Sequence, residues 1–148
     1  MGRILGIALL VGLITAACGG SSGANGTPGG NAPAGGGDIP GLSNVLFGTA
    51  YDPASLAVSG KTAEIKAGSP VVAVGRALSP TPATDITVQL SAGGSNRPPM
   101  PIAASDNPDN AVMFAVDLTS QNLGPGTWIV SFVAEGRILA SGYLKVTP

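Results

Sequence analysis

The chain has 148 residues, a net charge of −1, only 10% charged residues, 4% aromatics, one cysteine and no histidine. Without a basic surplus it cannot neutralise a phosphate backbone, so nucleic acid is not an expected partner. The missing histidine removes the imidazole base and His-based metal sites, and a lone cysteine excludes an internal disulfide.

Arg3 is the only charged side chain before Asp38, and Ile4 to Ile14 is almost wholly apolar. Such a run is too short to span roughly 30 Å of hydrocarbon as a helix. It has the length of a signal-peptide apolar region behind a positive start. Thr15, Ala16, Ala17 and Cys18 follow. The segment Leu13-Ile14-Thr15-Ala16-Ala17-Cys18 resembles the lipobox of bacterial lipoproteins, with Thr15 where Leu is commoner. The resemblance implies cleavage after residue 17, lipid on Cys18, and a membrane anchored through that cysteine on the extracytoplasmic side. Gly19 in place of Asp carries no inner-membrane retention signal by the same resemblance. Two or three acyl chains on one residue give a lasting anchor, which one chain alone does not.

Gly19 to Gly37 reads GGSSGANGTPGGNAPAGGG, without charge, aromatic or β-branched aliphatic side chains. It cannot bury apolar area to offset ordering entropy, so the composition predicts a disordered tether over residues 18–43. Its glycines are not a phosphate loop, because no Gly-Lys-Ser/Thr, preceding strand or following helix accompanies them.

From Asn44 to Pro148 short apolar stretches alternate with Pro, Gly, Asn and Asp, and no long window has helical periodicity. Early strands are expected at Val45 to Tyr51, Ala63 to Lys66 and Val71 to Leu78. Val71 to Val74 is apolar on both faces, as in a central strand. Ile86 to Ser91 alternates strictly, with Ile86, Val88 and Leu90 facing a core. Ala111 to Leu118 places Val112, Phe114, Val116 and Leu118 on one face, and Met113, Ala115 and Asp117 on the other. Thr127 to Glu135 aligns Trp128, Val130, Phe132 and Ala134. A tight turn at Glu135-Gly136 leads to Ile138 to Thr147, with Ala140, Gly142, Leu144 and Val146 inward. Pro80, Pro82, Pro98, Pro99, Pro101 and Pro108 are expected between strands.

These elements predict an all-β fold, a single antiparallel β-sandwich of about seven strands. Leu123-Gly124-Pro125-Gly126-Thr127-Trp128 and Gly136-Arg137-Ile138-Leu139-Ala140-Ser141-Gly142 resemble the closing strands of bacterial Ig-like and fibronectin-III-like domains. The Cys pair of antibody domains is absent.

No catalytic constellation stands out, so no enzyme, cofactor or metal is expected. The carboxylates Asp38, Asp52, Glu64, Asp85, Asp106, Asp109, Asp117 and Glu135 are dispersed, whereas a glycosidase needs two across a cleft. Asp106-Asn107-Pro108-Asp109-Asn110 is the densest oxygen cluster, yet it lacks EF-hand spacing and reads better as an Asx-rich turn than as a calcium site. Trp128 reads as core rather than as a sugar platform. No serine has an activating partner, Arg76 and Arg97 stand isolated, and Arg97-Pro98-Pro99-Met100-Pro101 reads as an extended inter-strand loop. The expected role is protein–protein interaction or envelope assembly. The alternative is capture of a small molecule or glycan. An apolar cavity between the sheets would favour capture, and an exposed apolar patch or bare edge would favour interaction.

Overall fold

The computed structural model describes residues 42–148. The expected signal segment, Cys18 and most of the tether lie outside the described residues. The strands are β1 (Ser43–Asn44), β2 (Leu46–Gly48), β3 (Ala50–Tyr51), β4 (Val58–Ser59), β5 (Glu64–Lys66), β6 (Val72–Thr81) and β7 (Ile86–Ala92). They continue as β8 (Ser95–Asn96), β9 (Met100–Pro101), β10 (Ala104–Ser105), β11 (Ala111–Asp117), β12 (Gly126–Ala134) and β13 (Arg137–Thr147). Two single 3-10 turns, Ala83–Asp85 and Thr119–Gln121, are the helical elements among the described residues.

Alternation decides which faces meet. Ile86, Val88 and Leu90 of β7 are buried in the main core with Trp128, Val130, Phe132 and Ala134 of β12 and Ala140, Leu144 and Val146 of β13. The first sheet runs β1-β13-β12-β7-β8, with β5 beside β13 and β9 beside β7. The second runs β10-β11-β6-β2. Taken as strands A to G, β2, β6, β7, β10, β11, β12 and β13 give the orders A-B-E-D and C-F-G of an Ig-like sandwich. The chain's first edge crosses between sheets: β2 pairs antiparallel with β6, while β1 and β5 run parallel to β13. Glu135 and Gly136 both take positive φ, 49° and 75°, as the type I′ hairpin between β12 and β13 requires.

The centre of the core is aromatic. Phe114 and Phe132 stack tilted with centroids 4.7 Å apart. A Cβ on Gly75 would lie 2.5 Å from the Phe114 ring and 2.8 Å from that of Phe132, so glycine is what lets β6 pass under the pair.

Two expectations need correction. Val112 is only half-buried and Ala111 takes the core place, because the β11–β6 register shifts between Ala111 and Met113. The other face of β11 is packed as well: Met113 and Ala115 lie with Val74 under Leu56, which the β3–β4 turn lowers onto the outer face of the second sheet. This second cluster explains why Val71 to Val74 is apolar on both faces. Finally, Pro80 lies within β6 and Pro101 within β9. Thr81 pairs with Ala111 and Arg76 with Met113, so Ala77 to Pro80 have no partner on β11; Ala77 stays in the core while Leu78 to Pro80 turn out, where a missing N–H breaks no ladder bond. Pro101 sits on an edge strand, where proline also blocks pairing with another chain.

Candidate functional site

Among the described residues no strand covers the outer face of the first sheet. Register sets its residues in rows: Thr87–Val133–Ile138, then Gln89–Ser131–Ser141, then Ser91–Ile129–Tyr143. None of these side chains is charged, and the first charge along β13 beyond them is Lys145, opposite Thr127. Tyr143 is 38% exposed. The middle row is rigid, because the Ser131 and Ser141 hydroxyls bond each other at 2.8 Å and Ser141 also donates to the Val130 carbonyl at 3.4 Å. A nucleophile would need a base beside it, and among the described residues the bonds join the two hydroxyls to each other and to a carbonyl.

Two shallow hollows open on this face. One of about 260 Å³ is lined by Gln89, Ser91, Asn96, Arg97, Pro99 and Ser131, among others. The other, about 370 Å³, borders Tyr143, Ile129, Thr127, Ser91 and Asn96 along with the Gly93-Gly94 turn. Both present amides and hydroxyls, which recognise by hydrogen bonding and shape.

A second feature lies at the end of the sandwich where the chain enters. Leu78 is 87% exposed and Ile138 47% exposed. They share a hollow of about 220 Å³ with Leu42, Pro80, Arg137 and Leu139. Leu78 reaches solvent because it lies in the looped-out stretch of β6, a device that re-aims a side chain.

The residues singled out by sequence fall as follows. Cys18 lies outside the described residues. Asp106 accepts the Val112 and Met113 amides at 3.0 and 3.1 Å, and Asn107 accepts those of Asp109 and Asn110 at 3.0 and 3.3 Å. The loop oxygens are thus turned onto their own backbone. No group of three His, Cys, Asp or Glu side chains converges among the described residues. Trp128 is 9% exposed and packs in the main core, its indole donating to the Gly124 carbonyl at 2.9 Å. Arg97 is not isolated: its guanidinium lies 4.9 Å over the Trp128 ring and donates to the Gln121 and Asn122 carbonyls. Nor is its segment only a loop, because Met100–Pro101 pairs with β7. Arg76 is exposed. Glu64 pairs with Lys145 at 3.1 Å and Glu135 with Arg137 at 3.5 Å. Asp117 caps the Thr119 amide at 2.8 Å. Asp52 accepts the Ala54 and Ser55 amides, both at 2.8 Å, and these bonds, that of Ser55 foremost, hold its carboxyl below the usual range.

Sequence reasoning did not single out Leu78 or Tyr143. Alternation along β13 places Tyr143 outward, but nothing in the pattern marks the β6 bulge that exposes Leu78. No family model matches this chain, and no curated protein shows significant similarity to it.

Proposed function

We propose that the chain is exported, cleaved before Cys18 and held to a membrane by lipid on that cysteine, and that its sandwich is a non-enzymatic module that binds another protein at the cell envelope. The observation that carries the binding part is the contrast between a filled interior and a bare exterior face. Phe47, Phe114, Phe132, Leu90 and Leu144 are fully buried and fill the space between the sheets. The filled space between the sheets leaves no apolar pocket there to favour capture of a small molecule, which supports recognition at the surface. The uncharged rows, with Gln89 and Tyr143 exposed and Ser91 and Ile129 half-buried around the buried Ser131–Ser141 pair, offer a surface for it.

The anchor is supported by the lipobox resemblance and the single cysteine at its proper place. Cys18→Ser is expected to abolish metabolic labelling by radioactive palmitate and release the protein from membranes; a variant still labelled and still sedimenting would refute the anchor. For the module, a photo-crosslinking residue is placed at Gln89 and, as control, at Ser69 beyond the other end of the face. A discrete adduct from Gln89 alone in intact cells is expected. Equal patterns from both positions would refute recognition by this face.

A further inference from the structure

Recognition by the rows of Gln89 and Tyr143 leaves Leu78 and Ile138, exposed at the chain-entry end, without a role. We propose that this patch, Leu78 and Ile138 around the hollow they share with Leu42, seats the module on the lipid surface that holds Cys18. The inference rests on the lipid-anchor reading above. Seating this end would stand the strands upright and turn the rows of Gln89 and Tyr143 sideways, away from the bilayer and open to a partner.

Three observations carry it. First, Leu42 is both the first described residue and part of the hollow's lining, so the patch lies where the chain arrives from Cys18. Second, the two positions are 24 residues apart, a length with an r.m.s. span of roughly 27 Å for Gly-rich composition and about 80 Å when extended. The lipid surface is therefore always within reach, at an effective concentration that no free protein has. Third, the patch is small. A stable complex between free proteins buries about 800 Å² on each partner, which two aliphatic side chains and their neighbours cannot supply. A patch this size is useful only against a surface already held close. Arg137 lines the hollow and stands exposed, suited to lipid phosphates, although it shares its charge with Glu135 at 3.5 Å.

The test uses the mature lipidated chain in vesicles of phosphatidylethanolamine and phosphatidylglycerol carrying a headgroup-level spin-labelled lipid. With Cys18 acylated, Ser79→Cys provides a unique thiol for a fluorophore beside the patch, and Ser120→Cys provides one at the far end, in the Thr119–Gln121 turn. Quenching several-fold stronger at position 79 than at 120 is expected. Adding Leu78→Asp with Ile138→Asp should lower quenching at 79 to the level at 120 while the chain stays on the vesicles. Leu78→Ser, which adds no charge, should lower it partway. Equal quenching at both ends of a vesicle-bound chain would overturn the seating and spare the anchor. So would quenching indifferent to the double substitution. A chain that carries no lipid on Cys18 and leaves the vesicles would overturn the anchor reading and this inference with it.

Discussion

The two outer faces of this sandwich are built alike and finished differently. Over the second sheet, the chain between β2 and β5 folds into the β3–β4 hairpin and drops Leu56 onto Val74 and Ala115, with Tyr51, Val58, Ala104 and Met113 around it. Over the first sheet no strand crosses among the described residues, and the rows from Thr87 to Tyr143 are uncharged, with Gln89, Ile138 and Tyr143 exposed and Val133, Ser131 and Ser141 buried between them. Both faces alternate out of the same kind of strand, so the difference is not one of sheet formation. It lies in the side chains: Val74 and Ala115 leave apolar area that needs a cover, whereas the first sheet turns Gln89, Ser91, Ser131 and Ser141 outward, the last two bonded to each other. A face left polar but chargeless is free for recognition, and a covered face contributes to stability.

Stability should therefore grade from the inner core to the covered face to the bare face. The largest loss is expected at Phe114→Ala, about 3–5 kcal/mol, because the ring is fully buried against Phe132. Gly75→Ala should cost up to about 3 kcal/mol by overpacking the same pair, since its new Cβ meets both rings. Chemical denaturation measures both. Leu56→Ala comes next at about 2 kcal/mol, the low end for a buried leucine, because only a small cluster closes over it and the hairpin can settle. Amide exchange should show the Leu56 loss confined to β3, β4 and the middle of β6. A loss at Leu56 equal to that at Phe114, and spread over both sheets, would break the distinction between core and cover.

The sandwich was legible where alternation is strict. Ile86, Val88 and Leu90, or Trp128, Val130 and Phe132, declare one buried face by period two alone. The Glu135-Gly136 turn was legible for a local reason, since a type I′ hairpin selects residues that tolerate positive φ. The covered face was not legible. Met113 and Ala115 sit on the nominally outward side of β11, and only the tertiary placement of Leu56, distant in sequence, makes that side interior. Leu78 escaped for a related reason: Pro80 is compatible with a bulge, but a register shift is a property of the strand pair, and neither sequence fixes which side chain it turns out. Arg97 was read as isolated because its partners, Trp128 and the carbonyls of Gln121 and Asn122, arrive from another loop.

The bare face sharpens the comparison from the other side. Tyr143→Ala removes a half-exposed ring opposite Ile129, and a cross-strand pair of this kind is worth less than about 1 kcal/mol. The midpoint of denaturation should barely move, while the adduct expected from a crosslinker at Gln89 should be lost. A large loss of stability with the adduct retained would make Tyr143 a structural residue and leave the face without a demonstrated use.

The smallest effect separates the faces by pH. Asp52 closes the β3–β4 turn: its carboxylate accepts the Ala54 and Ser55 amides and the Ser55 hydroxyl, the last at 3.1 Å. Its carbonyl accepts the Leu56 amide at 2.8 Å, in the turn that holds Leu56 at a φ of 53°. Those bonds, the Ser55 amide foremost, favour the charged form and lower the carboxyl below its ordinary range. A group lowered on folding contributes fully above its unfolded pKa, and the contribution fades as pH falls through the folded value. Acidification below about pH 4 should thus loosen the cover over Val74 and Ala115 first. The three uncharged rows of the first sheet carry no carboxylate and should keep their environment over the same range. Methyl NMR of Val74 and Ala115 against Ile129 and Val133 reads the two faces in one titration. Asp52→Asn should flatten the response of the first pair, because its side chain no longer titrates. An acid response shared equally by both pairs would mean that the cover is continuous with the global fold, and that the hairpin is part of the sandwich rather than a lid upon it.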